Sequence, residues 1–257
     1  MLLPKPLSPA VLAAVLLVAA PGLAAGQTLT NKIFAARAEK EFHRAQIQLQ
    51  SDAKNPTNAW QFARACFDFA DFSTNEIRRA GLARLGIAAS RQFLAREPRS
   101  APGHYYLAMD FGRLAEALAP SLAAYKLVKE IEREFKTARE LDEHFDFAGP
   151  PRNLGLLYRD APGWPVSLGS KRKAREFLER AAALAPDYPE NQLNLAESQL
   201  KWRLPDDAGK TLRKLDALWP SARTNLVGEV WEQSWADWTA RRTAAKAEFS
   251  KVFKRAP

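Results

Sequence analysis

The chain is poor in the residues that build disulfides and metal sites, with one cysteine and three histidines among 257 residues. The single cysteine, Cys66, cannot form an intramolecular disulfide, so stability has to come from side-chain packing. A lone thiol beside Phe67 and Phe69 is more often a buried small hydrophobe than a nucleophile, and we expect Cys66 to be buried. One thiol and three scattered histidines predict no metal site.

Motifs of the common enzyme classes are missing as well. The chain contains no H-E-x-x-H, no G-x-S-x-G, no P-loop and no dinucleotide-binding glycine pattern. We therefore expect no catalytic residues and no cofactor, although a dispersed carboxylate site would leave no such pattern. Strand signals are nearly absent, since there is no sustained period-two alternation and no Asn-Gly or Asp-Gly turn. These absences favour an all-α protein that is not an enzyme.

Charge is abundant but mixed. The chain has 38 Lys and Arg residues against 29 Asp and Glu, for a formal charge of +9, and its hydrophobic fraction of 47% excludes intrinsic disorder. The two signs alternate along the predicted helices, which indicates solvated helix faces. A nucleic-acid groove would be uniformly basic and lined with stacking aromatics, so we expect no nucleic-acid partner.

The first 26 residues are typical of a secretory signal. Lys5 precedes an apolar run over residues 10–20, and small residues at 24–26 provide a cleavage site before Gln27. The apolar run is too short for a bilayer-spanning helix, which needs about 20 residues. No cysteine lies near the cleavage site, so the lipoprotein route is excluded. The sequence thus predicts an exported, periplasmic protein with one folded domain over residues 27–257.

Apolar residues that recur every three or four positions predict a succession of amphipathic helices. The first predicted helices cover about residues 29–50, 58–72, 73–97, 102–118 and 122–144. Ser73 and Glu76 are spaced as a capping box, in which the Ser73 hydroxyl accepts a hydrogen bond from a first-turn amide and Glu76 reaches back.

The segment from Arg152 to Pro186 contains a recognisable helix-turn-helix pattern. Its landmarks come in the order Leu154, Gly155, Tyr158, Ala174, Leu178, Ala181 and Pro186. They resemble the tetratricopeptide repeat (TPR), a helical hairpin of about 34 residues. The resemblance implies that the small residues lie where the two helices of a hairpin approach closely.

The pattern recurs on both sides of this segment. Gly112 and Ile131 are 19 residues apart, as are Gly155 and Ala174, so two successive units share the same excess over the usual spacing. The next unit follows at an offset of 34, with Ala208, Leu212, Leu215 and Pro220. The predicted fold class is therefore an all-α, TPR-like helical-hairpin solenoid with a C-terminal capping helix. Its clearest repeats cover about residues 101–147, 148–186 and 187–220, and the capping helix covers about 221–255.

A group of three tryptophans and the single Trp164 each allow two interpretations. Trp231, Trp235 and Trp238 share one face of the last helix, which either covers the open end of the array or forms the aromatic wall of a ligand pocket. Covering the array is the favoured interpretation. Trp164 lies in the proline-rich loop 160–165 and either plugs a gap between helix pairs or presents a rigid aromatic ring to a ligand or partner.

In a TPR-like array the first helix of each hairpin lines the concave face, so candidate binding residues can be assigned from the repeat frame. They are Tyr106, Met109, Arg113, Arg152, Leu156, Tyr158, Arg159, Asp160, Trp164, Leu193, Glu197 and Lys201. Their mixture of charged and apolar side chains suits a peptide, a protein tail or an amphiphile.

The stretch ELDEHFDFAGPPRNLGLLYRDAPGWP, followed by LGSKRKAREFLERAAAL, also resembles the T-component of TRAP-type transporter systems. That resemblance implies a periplasmic repeat protein that associates with a solute-binding protein and handles hydrophobic ligands. Two functions therefore stand. The first is an envelope scaffold that binds a protein or peptide partner. The alternative is a ligand-handling accessory component with an apolar cavity for a hydrophobic small molecule. A large internal apolar cavity would favour the alternative, and an open concave face would favour the scaffold.

Overall fold

The computed structural model describes residues 25–163, 167–254 and 256, with side chains from residue 31 onward. The predicted signal peptide lies outside the described residues except for Ala25 and Gly26, which open the first helix. The regular structure of the described part consists of ten α-helices: α1 (Ala25–Ser51), α2 (Pro56–Asp71), α3 (Glu76–Leu94), α4 (Ala101–Ala117), α5 (Leu122–Leu141), α6 (Phe145–Asp160), α7 (Lys171–Leu184), α8 (Pro189–Lys201), α9 (Pro205–Asn225) and α10 (Glu229–Phe253). An isolated bridge joins Gly163 and Gly169. The all-α prediction is confirmed.

The described helices form two compact units, α1–α5 and α6–α10. In the first unit each helix packs against the next, and α2 also packs against α4. In the second unit α6 packs against α7, α7 against α8 and α8 against α9, while α10 covers α8 and α9. Each unit therefore consists of helices that pack against their neighbours in the chain through short connections, as in helical hairpins.

The core of the first unit follows the predicted apolar stripe of α1. Phe34, Ala38, Phe42 and Ala45 are all buried, and the Phe42 ring lies 5.5 Å from the ring of Phe62 on α2. Cys66 is also buried, with no exposed area, as expected. Burial raises the pKa of the Cys66 thiol, so this sulfur stays protonated.

The start of α3 corrects the predicted capping box. The cap is Asn75, whose side-chain oxygen accepts hydrogen bonds from the backbone N–H groups of Ile77 and Arg78. Ser73 instead donates its hydroxyl to the Asn75 carbonyl oxygen. Asn is as good an N-cap as Ser, and Asn75 stands directly before the first helical residue. The predicted box was wrong because it began the helix two residues too early.

The hairpin of α6 and α7 has the predicted close contact. A Cβ atom added to Gly155 would lie 2.6 Å from the Cγ atom of Leu178. Ala174 and Ala181, the other small residues of the pattern, are fully buried on α7. The absence of a side chain at Gly155 therefore lets the two helices approach closely.

The chain enters α6 through an unusual backbone turn. Asp146, Phe147 and Ala148 all have left-handed dihedrals, with φ values of 52°, 54° and 62°. Non-glycine residues rarely adopt this conformation, and it has to be held by surrounding contacts. Pro150 and Pro151 follow at the point where right-handed helix resumes, a position that tolerates proline because its missing N–H would have no partner there.

The end of the last hairpin differs from the prediction. Pro220 lies inside α9, which continues to Asn225, so the capping helix α10 begins at Glu229 and not near Ser221. A proline inside a helix removes one backbone hydrogen bond and costs about 3 kcal/mol. Here Leu218 and Ala222 are both buried, so apolar burial continues across Pro220 and offsets that cost.

The tryptophans of α10 are core residues. Trp231, Trp235 and Trp238 are buried and pack in one cluster with Tyr188. The Trp238 indole N–H donates to Glu190 Oε2 at 2.5 Å, so its polar atom is satisfied inside the core. This is the favoured interpretation of the stripe, in which α10 closes the apolar side of its neighbours.

Candidate functional site

Most of the residues predicted to line a groove are buried in the structure. Seven of them are buried: Tyr106, Met109, Arg113, Arg152, Leu156, Tyr158 and Leu193. The expectation that these seven face an open groove is therefore corrected. The physical reason is that their helices are covered on several sides. Within its own unit α4 packs against α2, α3 and α5, and α8 packs against α6, α7, α9 and α10.

The buried arginines act as packing and clamping residues. Arg113 donates to Asp71 Oδ1 at 2.7 Å and to Glu116 Oε2 at 3.0 Å, and its guanidinium lies over the Phe67 ring at 4.3 Å. These contacts join α4 to α2. Tyr106, a neighbour in the predicted groove, stacks on Trp60 with ring centroids 5.8 Å apart.

Arg152 holds the left-handed turn at the start of α6. Its guanidinium donates to the backbone carbonyl oxygens of Asp146 and Phe147 at 3.2 and 3.1 Å and to Asp146 Oδ2 at 2.8 Å. It also donates to Asn191 Oδ1 at 3.2 Å, and Asn191 in turn donates to the Phe147 carbonyl at 3.0 Å. Arg152 is therefore a buried clamp that joins this turn to α8.

Four other predicted residues are not buried: Lys201 is exposed, and Arg159, Asp160 and Glu197 are partly exposed at the surface of the second unit. Arg159 donates to both carboxylate oxygens of Asp160, at 2.9 and 2.7 Å. Lys201 also donates to Asp160, at 3.1 Å, and Arg159 reaches the Ser198 hydroxyl at 3.2 Å. The end of α6 is thereby tied to α8. Glu197, the fourth residue, lies one turn before Lys201 on α8 and is half-buried.

A fifth residue, Arg241 on α10, was missed from the sequence. It donates to both oxygens of Glu197 at 2.7 and 2.8 Å, to Glu190 at 2.9 Å and to Asn194 at 2.6 Å. Arg241 also donates to Asp237, which lies one turn earlier on α10, at 3.1 Å. The i, i+4 spacing of Asp237 and Arg241 is visible in the sequence, but nothing local pairs Arg241 with α8.

Burial shapes the ionisation of this cluster. It raises the pKa of Asp237 to about 7, an effect that Arg241 partly opposes and that Glu190 and Glu197 reinforce. The charge of Asp237 therefore changes near neutral pH. Desolvation lowers the pKa of Arg241, but Glu190, Glu197 and Asp237 together raise that pKa well above its usual value, so the guanidinium stays protonated.

We refer to this surface as the charged face. It consists of Arg159, Asp160, Glu197, Lys201, Asp237 and Arg241. Three bases and three acids lie at the C-terminal ends of α6 and α8 and in the middle of α10, and their geometry is fixed by mutual hydrogen bonds. Lys201 is the most accessible member, with 57% of its side chain exposed. Such a face can pair with charged side chains of either sign and with the polar backbone of an extended peptide.

Trp164, the twelfth predicted residue, lies outside the described residues. Its role, whether plug or contact, stays a prediction. The described ends of its loop are joined, since the Gly169 N–H donates to the Pro162 carbonyl oxygen at 2.9 Å. A Cβ atom at Gly169 would meet the Ala161 carbonyl oxygen at 2.1 Å, so this close approach requires glycine.

The described part of the chain offers neither a metal-binding cluster nor a membrane span. Over residues 25–163, 167–254 and 256, no group of three or more His, Cys, Asp or Glu side chains is placed to hold a metal ion. Within that same part of the chain, no helix combines the length and the apolar character needed to cross a membrane.

Solved structures of other proteins share this arrangement of helices. TTC0263, a thermophilic TPR protein of Thermus thermophilus, superimposes with a TM-score of 0.61 and 20% sequence identity, over 85% of this chain and 95% of that one. The fold is TPR-like. MamA superimposes with a TM-score of 0.51 and 16% identity, over 79% of this chain and 99% of that one. No protein-family model matches the sequence, and no curated protein matches it significantly.

The comparisons confirm the predicted fold class, an all-α TPR-like helical-hairpin solenoid. At these identities the likeness concerns the fold alone. The resemblance to the TRAP T-component stays a sequence prediction.

Proposed function

We propose that this protein is a non-catalytic interaction scaffold that binds an extended segment of a protein partner on the charged face. The observation that carries the proposal is a cluster of fixed charges of both signs at partly exposed positions on a TPR-like unit, with Lys201 the most exposed. The neighbour TTC0263 is described as a TPR protein, and helical-hairpin arrays create extended surfaces suited to protein partners.

The charged face is preorganised, which favours binding. Arg241 and Glu197 are joined by two parallel hydrogen bonds, and Asp160 is held by both Arg159 and Lys201. Side chains that are already ordered lose little conformational entropy when a partner arrives. A partner segment of mixed charge can then replace solvent around Lys201 and the outer edges of the carboxylates.

The cavities that we describe in the second unit support a scaffold more than a carrier of apolar ligands. The cavity of about 190 Å³ beside Phe249 includes Asp206 and Arg213 in its lining. Two larger depressions between α7 and α9 include Arg175 and Lys214, respectively. Each carries charged side chains, whereas a pocket for a hydrophobic molecule is lined mainly by apolar ones. For this reason the ligand-handling role is not the function we propose.

The proposal includes export to the periplasm, where the partner would be met. It is supported by Lys5, the apolar run at 10–20 and the small residues at 24–26. N-terminal sequencing of the protein from its native cell should start within a few residues of Gln27. Recovery of a chain that begins with Met1 from the cytoplasm would contradict export.

Charge reversal at an accessible position tests the binding surface. Lys201→Glu places a third carboxylate next to Asp160 and Glu197, so the affinity for the partner should fall at least about tenfold, or about 1.4 kcal/mol. The partner is first identified by crosslinking and mass spectrometry in envelope extracts, and then titrated with the purified proteins.

The matched control is Lys126→Glu, which makes the same charge change at an exposed position on α5 in the first unit. It should leave the affinity unchanged. Equal affinities for both variants and the wild type would rule out the charged face as the binding surface.

A further inference from the structure

A second surface lies between α7 and α9, with α8 as its floor. Two open depressions of about 320 and 500 Å³ share Ala182, Ala183, Gln192 and Lys214, so they form one continuous trough. We call this trough the α7–α9 groove. Its lining also includes Arg175, Gln199 and Lys210.

The groove and the charged face lie on opposite sides of α8. Glu197 and Lys201 belong to the charged face, while Leu195 and Gln199 line the groove. An α-helix turns about 100° per residue, so Gln199 lies about 180° around the helix from the midpoint between Glu197 and Lys201. The groove is therefore a separate surface.

An unsatisfied polar group lies on the floor of the groove. Gln199 is only 4% exposed, and its side-chain oxygen Oε1 has no hydrogen-bond partner among the described residues. The neighbouring Gln192 shows the usual situation, since its amide donates to the carbonyl oxygens of Ala182 and Pro186 at 3.3 Å each. Buried acceptors are normally paired, so the Gln199 oxygen is suited to an N–H group from outside the chain.

Two lysines on the α9 side of the groove are not used in ion pairs within the described part of the chain. Three acids line the groove. Glu179 and Asp207 pair with Arg175 at 2.7 and 3.3 Å, and Asp187 lines only the depression of about 500 Å³. Lys210 and Lys214 on α9 are exposed, and neither forms an ion pair within the described part of the chain. Two such cations one helical turn apart thus border the buried acceptor.

The spacing of Lys210 and Lys214 matches the side-chain spacing of an extended peptide. Residues four apart on a helix are separated by about 6 Å along its axis. Alternate residues of an extended strand point to the same side and are about 6.6 Å apart. We propose that the α7–α9 groove binds an extended acidic peptide with carboxylates at alternate positions. Two of those carboxylates pair with Lys210 and Lys214, and a backbone N–H donates to Gln199 Oε1.

Fluorescence anisotropy with labelled peptides tests this proposal. The probe is a ten-residue peptide that alternates Asp with Ala, and the comparison peptide has the same composition with its aspartates in one block. The wild type should bind the alternating peptide at least about tenfold more tightly than the block peptide. Equal affinity for the two peptides, or no binding of either, would overturn the proposal.

Three variants locate the binding site. The Lys210→Glu and Lys214→Glu double variant should weaken binding of the alternating peptide at least about tenfold, and both positions are exposed, so the fold is retained. Gln199→Leu removes the acceptor with little change in volume and should weaken binding about fivefold at high salt, where the lysine contribution is screened. Undiminished binding by the double variant would overturn the proposal even if Gln199→Leu fails to fold.

The third variant, Lys201→Glu, separates this proposal from the proposed function. It lies on the charged face and should bind the peptide as the wild type does. A loss of peptide binding by Lys201→Glu with no effect of the α9 lysines would place the peptide on the charged face and contradict the groove.

Discussion

Replacing Gly155 by alanine tests the packing of the α6–α7 hairpin. The added Cβ would lie 2.6 Å from Leu178 Cγ and 3.1 Å from the backbone nitrogen of Leu178. The side chain of Leu178 can rotate away, but its backbone nitrogen moves only if α7 moves. Overpacking of this kind costs about 1–3 kcal/mol. The higher helix propensity of alanine offsets up to about 1 kcal/mol of this cost, so we expect a net loss of up to about 2 kcal/mol.

Gly81 on α3 is the matched control. It is also a helical glycine, but no atom lies within 4 Å of the position that its Cβ would occupy. Gly81→Ala should therefore stabilise by up to about 1 kcal/mol through helix propensity alone. The two substitutions are chemically identical and are predicted to have opposite signs.

Urea unfolding followed by circular dichroism measures both variants. The midpoint should fall for Gly155→Ala and rise for Gly81→Ala, with an unchanged slope. Combining Gly155→Ala with Leu178→Ala should cost less than the sum of the two single variants, because the truncated Leu178 leaves room for the new methyl group. A stabilising Gly155→Ala would show that the contact between Gly155 and Leu178 is absent.

Three further predictions concern buried charges. Arg152→Ala should lower the free energy of unfolding by about 3–5 kcal/mol in urea, because it removes the arginine that pairs with the buried Asp146 carboxylate. A loss below about 1 kcal/mol would contradict the role of Arg152 as a clamp. The hydrogen bond to Glu134 raises the pKa of His104, so its stabilisation is complete below the unfolded value of about 6.5 and is lost as the pH rises through the folded value. His104→Gln should abolish that decline, whereas an unchanged pH profile would contradict it. Burial raises the pKa of Asp110 well above its usual value, and both of its carboxylate oxygens lack hydrogen-bond partners among the described residues. Ionisation of Asp110 therefore lowers the free energy of unfolding as the pH rises above about 4. Asp110→Asn should stabilise at pH 7 more than at pH 4, and equal effects at both pH values would refute this.

Local sequence patterns were enough to predict the helical hairpins. The spacing of Gly155 and Ala181 is set within one hairpin, so the sequence alone indicates their close packing. Pro220 was misinterpreted because a proline ends one hairpin at Pro186 but lies within the helix in the next. The difference depends on the burial of Leu218 and Ala222, which is a property of the assembled unit.

The candidate site was harder to predict because its contacts are non-local. Arg241 and Glu197 are separated by 44 positions in the chain, and no local pattern pairs them. The left-handed turn at Asp146 was also unpredictable, since non-glycine residues seldom adopt positive φ. Arg152 was therefore assigned to a groove, although the structure uses it to hold that turn.

Photo-crosslinking from the charged face tests the central claim most directly. A photoreactive phenylalanine analogue is introduced in the native cell at Lys201, the most exposed residue of the face, or at Lys126, the exposed control position on the first unit. The account predicts a discrete crosslinked protein from position 201 and none from position 126, with the adduct at 201 lost when Arg159 is also changed to Glu. A partner that crosslinks equally from both positions, or that co-purifies without crosslinking from position 201, would contradict binding on the charged face.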